Sequence, residues 1–248
     1  MNRRWICGDV WMDILPSFDR PELGLKMALL SDRFDVLVDK HFDGKSEFTI
    51  WKAIEIRKDE EPKAKLSVWT DDKCVAFPLP DRPLPIKIRF KDLQIHYIDH
   101  SVLTFLRSNK PIWDRSGTNL ELYIEYCDQR IWDVLDRQIW PIFAKSIRHF
   151  GFHDGDDLDK LRRRISPTIL TDVDQLNSID SGALFPDGIA DDGPNATAGQ
   201  ALTKWLHTPS KDGQPKQLYR NNYFGPPKLE WVNNFKEAIV AASGRRSG

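Results

Sequence analysis

His96 and His100 stand four residues apart with Asp99 between them, a spacing that can chelate a metal. It does so when both rings project from one face of a continuous helix. The surrounding residues instead make Leu93 to Tyr97 a strand and Ser101 to Arg107 a helix, so a solvated or capping role fits the pair better. His149 and His153 precede Asp154-Gly155-Asp156-Asp157 and Asp159, the composition of a cation loop. No bidentate Glu closes it in the EF-hand manner. The same carboxylates suit the first turn of a helix around Leu158 to Arg164, where the helix dipole favours negative charge. Arg162-Arg163-Arg164 then falls at the end of that helix, where cations are favoured and a phosphate contact is open to them.

Nucleophile and cofactor signatures are missing. The chain carries no Walker loop, no G-x-G-x-x-G, no G-x-S-x-G and no H-E-x-x-H. Cys7, Cys74 and Cys127 are odd in number and far apart, which excludes a disulfide framework and fits a reducing cytoplasm or nucleus. No cofactor, no metal and no catalytic residue is expected. With 36 Lys and Arg against 37 Asp and Glu, the net charge is -1, which argues against nucleic acid as a partner. The N-terminal Arg3 and Arg4 resemble a signal-peptide start, but Asp9 and Asp13 interrupt the apolar stretch. Neither a signal peptide nor a membrane span is expected.

The elements that would position any site fall into two regions of the 248-residue chain. Residues 5–42 read as three short helices. Val10, Ile14 and Leu15 share one face of the first, with Phe18 a turn further on, and Pro16 should end it. Asp19 or Arg20 caps the second, with Pro21 in its first turn and Leu23, Leu25, Met27, Leu29 and Leu30 along it. Ser31 caps the third, which carries Phe34, Leu37 and Val38. About forty residues bury little on their own, so these helices must cover the rest of the chain or a partner.

Residues 46–242 read first as strands. Phe48, Ile50, Ala53, Ile54 and Ile56 form one run, ended by the charged turn Lys58 to Lys65. Leu66 to Trp69 and Cys74 to Phe77 follow around Asp71-Asp72-Lys73, a hairpin pattern. Pro78, Pro80, Pro83 and Pro85 make an extended connector whose interleaved apolar residues suggest that it is packed. Strands and helices then alternate: strand Leu120 to Ile124, helix from about Gln129 to Pro141 or beyond, strand Ile147 to Phe152, a weak strand Leu176 to Ile179, helix Ala198 to Leu206 and strand Gln217 to Tyr219. The strand anchors Leu93, Leu120, Phe150, Leu176 and Leu218 are separated by 27, 30, 26 and 42 positions, the last stretched by the loop Gly182 to Asn195. That loop, with Asp187, Asp191 and Asp192, reads as flexible and solvated. A strand plus a helix at this period, with Phe90-x-x-Leu93-x-Ile95 and Ile147-x-x-Phe150-x-Phe152, is leucine-rich-repeat-like, although the closing Asn is missing. An ordinary α/β sheet is the alternative. Trp51, Trp69, Trp113, Trp132, Trp140, Trp205 and Trp231 are expected in the core. A helix begun at Ala238 to Ala242 stops at Ser243 without the polar cap a solenoid needs, so a truncated chain or an exposed last repeat is expected.

The N-terminal pattern Asp9-Val10-x-x-x-Ile14-Leu15-x-x-Phe18, then Leu23, then Leu30-Ser31-x-Arg33-Phe34-x-x-Leu37-Val38, resembles the F-box. Where that family has Leu-Pro before the first acidic residue, this chain has Ile6-Cys7. Further segments, among them Tyr97-Ile98-Asp99-His100-Ser101-Val102, Ser166-Pro167-Thr168-Ile169-Leu170 and Lys204-Trp205-Leu206-His207-Thr208-Pro209, are similar to an expanded F-box family of nematodes. The resemblance implies an α+β or α/β chain: a three-helix F-box followed by an irregular leucine-rich-repeat-like solenoid. It implies a non-catalytic, substrate-recruiting subunit of an SCF-type ubiquitin ligase, acting in the cytoplasm or nucleus in ubiquitin-dependent degradation. Ile6, Cys7, Val10, Ile14, Leu15, Phe18, Leu23, Leu25 and Leu29 would bind the Skp-type adaptor, and through it a cullin-RING ligase. An unknown protein substrate would bind the C-terminal region. The alternative is an interaction module outside any ligase, whose N-terminal helices only cap the repeats.

Overall fold

A computed structural model describes residues 6–42, 48–58, 64–69, 74–85, 88–122, 129–152, 155–211 and 213–219. The chain is mixed α/β and divides into two units, Met1–Thr118 and Asn119–Gly248.

In the first unit, α1 (Gly8–Ile14) gives way to a 3-10 turn, Leu15–Ser17, at Pro16. A proline deeper in an α-helix would clash with the preceding turn and remove a hydrogen bond. Asp19 caps α2 (Arg20–Glu22) by accepting from the Glu22 amide at 3.0 Å. The helical path continues as a π turn, Leu23–Met27, and a 3-10 turn, Ala28–Leu30. The Ser31 hydroxyl accepts from the Phe34 amide at 3.4 Å and opens α3 (Asp32–His41). Leu15, Leu23, Leu25, Ala28, Leu37, Val38 and Phe42 form the buried side of this run. Trp11 meets Phe34 edge-on, with ring centroids 4.8 Å apart.

Four strands follow, β1 (Phe48–Lys58), β2 (Ala64–Trp69), β3 (Cys74–Pro78) and β4 (Ile88–Ile95), in the spatial order β3-β2-β1-β4. The first three pair antiparallel, while β4 runs parallel to β1. The expected antiparallel neighbours Leu66–Trp69 and Cys74–Phe77 therefore do pair, and the turn at 70–73 lies outside the described residues. The proline-rich connector is packed, as its apolar residues suggested. Leu84 is buried, and its amide donates to the buried Asn109 side chain at 2.8 Å. Asn109 also donates to the Phe105 carbonyl at 2.8 Å, which fixes the end of α4 (His100–Ser108). A short helix not foreseen in the sequence, α5 (Lys110–Ser116), follows with Pro111 in its first turn and buries Ile112 and Trp113. Gly117, at φ 68°, turns the chain into the next strand, a conformation costly for any residue with a Cβ.

The second unit contains β5 (Thr118–Leu122, its first residue closing unit one), α6 (Gln129–Val134), a π turn at Leu135–Ile139, and α7 (Trp140–Phe143). Then come β6 (Ile147–Phe152), α8 (Gly155–Arg164), α9 (Ile169–Asp172), β7 (Ser178–Asp180), α10 (Ala198–His207) and β8 (Gln217–Tyr219). The strands lie in the order β5-β6-β7-β8, and both β6/β7 and β7/β8 are parallel. Parallel neighbours require a crossover, which the helices between them supply. Register places Phe150, Ile179 and Leu218 in one row, and Phe150 and Ile179 are buried. Trp113, Trp132 and Trp205 are core residues as expected, and Trp140 is half-buried. The Trp51 and Trp69 side chains, Trp231 and the tail beyond residue 219 lie outside the described residues.

The loop before α10 is not the free solvated segment its composition suggested. The Asp187 amide donates to the Gly199 carbonyl at 3.1 Å, and Thr171 donates to the Asp192 carboxylate at 2.9 Å. Arg162, buried on α8, donates to the carbonyls of Gly193 (2.9 Å), Ala196 and Pro167 (3.0 Å). That guanidinium is committed to the fold, so it is not a phosphate ligand.

Candidate functional site

The nine residues expected to face an adaptor divide by burial. Leu15, Leu23 and Leu25 are 0, 1 and 5% exposed, so they belong to the core of their own unit. Ile14, Phe18 and Leu29 are half-buried. Ile6 and Val10 are 45 and 47% exposed, and Cys7 is exposed beside them. The helical spacing of α1 explains the split: Val10 and Leu15 are five positions apart, so they lie on different sides of the helix. Cys7 occupies the N-cap position of α1 without a side-chain cap bond. Its thiol lies 3.7 Å from the Asp9 carboxylate, and the Ile6 carbonyl accepts from the Arg33 guanidinium.

Within residues 6–42, two further large apolar residues outside that set are exposed: Leu30, at the end of the 3-10 turn, and Val36 on α3. Sequence periodicity already left Val36 off the face of Phe34, Leu37 and Val38, but it gave no reason to separate Leu30 from Leu29, because an apolar residue reads alike whether it meets a partner or its own core.

The opposite side of the helical run is tied to the strand region of its own unit. The Lys26 ammonium sits 5.3 Å from the centre of the Phe77 ring on β3. Arg82, in the proline connector, donates to the Leu29 carbonyl at 3.4 Å and pairs with the Asp32 carboxylate. Asp35 and Asp39 stand one turn apart on α3, each with a buried carboxylate oxygen that no hydrogen bond satisfies. Burial raises the Asp35 pKa above its ordinary value, Asp39 raises it further, and Arg82 works in the opposite sense.

The histidines are not assembled. His96 lies just past the end of β4 and His100 is the first residue of α4, and both are exposed. Asp99 is occupied as the α4 N-cap, accepting from the Val102 amide at 2.9 Å. Asp156 and Asp157 open α8 in its first turn, while His153 and Asp154 lie outside the described residues. Among the described residues no group of three His, Cys, Asp or Glu side chains is placed to hold a metal ion. No described helix is long and apolar enough to cross a membrane.

No family model, curated protein or solved structure matches the chain.

Proposed function

We propose that this chain is a substrate-recruiting adaptor of an SCF-type ubiquitin ligase, docking a Skp-type adaptor through the exposed side of α1 and its flanking residues. The supporting observation is an exposed apolar edge, Ile6 and Val10, on a helical run whose opposite side is already packed. A few such side chains entering an apolar groove supply most of a helical docking energy. The rest of the chain, read as a leucine-rich-repeat-like solenoid from its strand spacing and its parallel β6-β7-β8 order, would hold a protein substrate. Catalysis then consists of positioning, with the chemistry done by other subunits.

Co-expression with a Skp-type adaptor tests the reading. Wild type should co-elute with it. Val10→Asp, which places a charge on an exposed position, should bind at least about tenfold more weakly while keeping its circular dichroism spectrum. Leu15 is the wrong position for this test, since a charge there would disrupt the protein's own core. A folded wild type that never binds the adaptor overturns the proposal.

A second reading has its own observation. Leu15, Leu23 and Leu25 are buried by this chain alone, and Arg82 fastens the helical run to the connector. Helices held that way serve as a cap within an interaction module that has no ligase link.

A further inference from the structure

The chain holds two serine- or threonine-proline steps, Ser166-Pro167 and Thr208-Pro209, and the fold treats them differently. Ser166 donates to the Asp172 carboxylate at 2.7 Å, the Pro167 carbonyl accepts from buried Arg162 at 3.0 Å, and Ile169, three residues after the serine, is buried. Thr208 instead closes α10 with an extended backbone, φ -81° and ψ 122°. A residue before proline prefers that conformation. Pro209 and Lys211 after it are exposed. Gly213 turns the segment at φ 71°, and a Cβ placed there would meet no atom within 4 Å beyond its chain neighbours. A kinase takes its substrate as an extended segment. Proline after the hydroxyl brings no N–H, so it suits a cleft that asks for no donor at that place. A cation at the third place, here Lys211, adds the charge by which such a cleft selects its substrate.

Lys216 is a second and independent observation. The Trp205 carbonyl accepts from the Lys216 ammonium at 2.6 Å and from the Thr208 amide at 3.1 Å, so two groups that share one oxygen are close neighbours. Thr208 and Lys216 also line one depression with Leu170, Val173 and Lys211. Lys211 pairs there with Asp174. Lys216 is half-buried and pairs with no carboxylate among the described residues, and burial lowers its pKa to about 8. An anion beside such an ammonium favours its charged form and offsets the burial.

We propose that Thr208 is the phosphorylation site of a proline-directed protein kinase and that Lys216 holds the phosphate. The kinase transfers the γ-phosphoryl group of ATP to Thr208 Oγ1. The hydroxyl loses its proton, the bond from the γ-phosphorus to the bridging oxygen breaks, and ADP leaves. The hydroxyl gives up the bond it donates to the Lys204 carbonyl at 2.8 Å, and that carbonyl keeps the Thr208 amide at 3.0 Å. A phosphate at a helix C-terminus is repelled by the last carbonyls. Lys216 opposes that repulsion, with Lys204 and His207 of the last turn beside it. Lys216 directly precedes β8, so the phosphate ties the end of α10 to the next strand. The proposal does not depend on adaptor docking.

The test uses the folded full chain, ATP and a cyclin-dependent kinase, with phosphate located by mass spectrometry. Thr208 should be modified and Ser166 should not. Pro209→Ala and Lys211→Ala should each slow incorporation about tenfold or more, and Ser166→Ala should leave it unchanged. No incorporation at Thr208, incorporation only after denaturation, or equal incorporation at Ser166 would each overturn the proposal. Phosphorus NMR of the modified chain reads the contact with Lys216. The second phosphate pKa, ordinarily near 6, should lie about one unit lower in wild type than in Lys216→Met. Lys216→Arg, which keeps the charge, should retain the lowered value. The same pKa in wild type and both variants would overturn the role of Lys216.

Discussion

Arg162 spans three segments of the second unit. From α8 its guanidinium donates to Pro167 at the start of the next turn and to Gly193 and Ala196 in the loop before α10, and it approaches Asp159 at 3.4 Å. Its planar fork suits this, because its donors point in fixed divergent directions that one ammonium cannot reproduce. Removing it strands the buried Ala196 carbonyl and leaves the partly buried Pro167 and Gly193 carbonyls without this donor, and a buried carbonyl left unsatisfied costs about 1–3 kcal/mol. Arg162→Met should therefore cost about 3 kcal/mol of stability by urea denaturation, and Arg162→Lys should recover less than half. A loss below about 1 kcal/mol would show that water or other donors replace the guanidinium easily. Arg163 and Arg164 differ from it. Arg163 is exposed, and Arg164 forms a 2.8 Å bond to Asp133. Three consecutive arginines thus have different tasks, which their shared letter does not reveal.

Helix α10 shows how an element can be read locally. Thr197 accepts from the Gln200 amide at 3.2 Å, and the Gln200 side chain accepts from the Thr197 amide at 2.9 Å. This reciprocal pair satisfies two donors that a helix start leaves orphaned. Thr197→Ala should cost about 1 kcal/mol and speed hydrogen exchange in the first turn of α10. Unchanged exchange there would mean that burial of Ala201, Leu202 and Trp205, not the cap, holds the turn. Other local features were legible beforehand: β6 and β8 have the bounds their residues suggested, and α1 ends at Ile14, just before Pro16. Two helices were not. α5 starts at Lys110, with Pro111 in its first turn, right after Asn109 caps α4, and α9 has four residues, too few for a period to show. β4 begins at Ile88, earlier than its apolar run suggested, because Ile88 and Phe90 pair with distant Phe48 and Trp51 of β1. Non-local pairing leaves no mark on a local pattern. The same holds for the adaptor set. Leu15 and Val10 carry equivalent apolar signals; their five-position spacing puts them on different sides of a helix, but only the folded unit shows which side is buried.

At the scale of the whole molecule, nearly balanced charge leaves pH dependence to a few groups whose folded environment differs from water. Asp35 and Lys216 are two of them. Burial and the neighbouring Asp39 raise the Asp35 pKa above 3.8. The folded chain therefore holds that proton more tightly than the unfolded chain, and stability falls as pH rises through the raised value. Burial pulls Lys216 down from 10.5 to about 8. Its amine donates to the Trp205 carbonyl and sits 4.7 Å from the centre of the Trp205 ring. Between about 8 and 10.5 the unfolded chain binds the proton better, so this contribution to stability grows as pH rises. The Asp35 penalty disappears toward acid, and the Lys216 penalty toward base. Asp35→Asn should therefore gain most over wild type on the alkaline side of the raised Asp35 value, and the gain should shrink as pH falls and wild-type Asp35 takes up its proton. For Lys216→Met the difference from wild type should be most favourable to the variant below pH 8 and shift toward wild type by pH 10, whatever constant offset the lost carbonyl bond adds. Urea midpoints of both variants and the wild type at pH 4, 7 and 10 read these slopes directly. A pH-independent difference for either variant would show that the side chain is as well solvated in the folded chain as in the unfolded one.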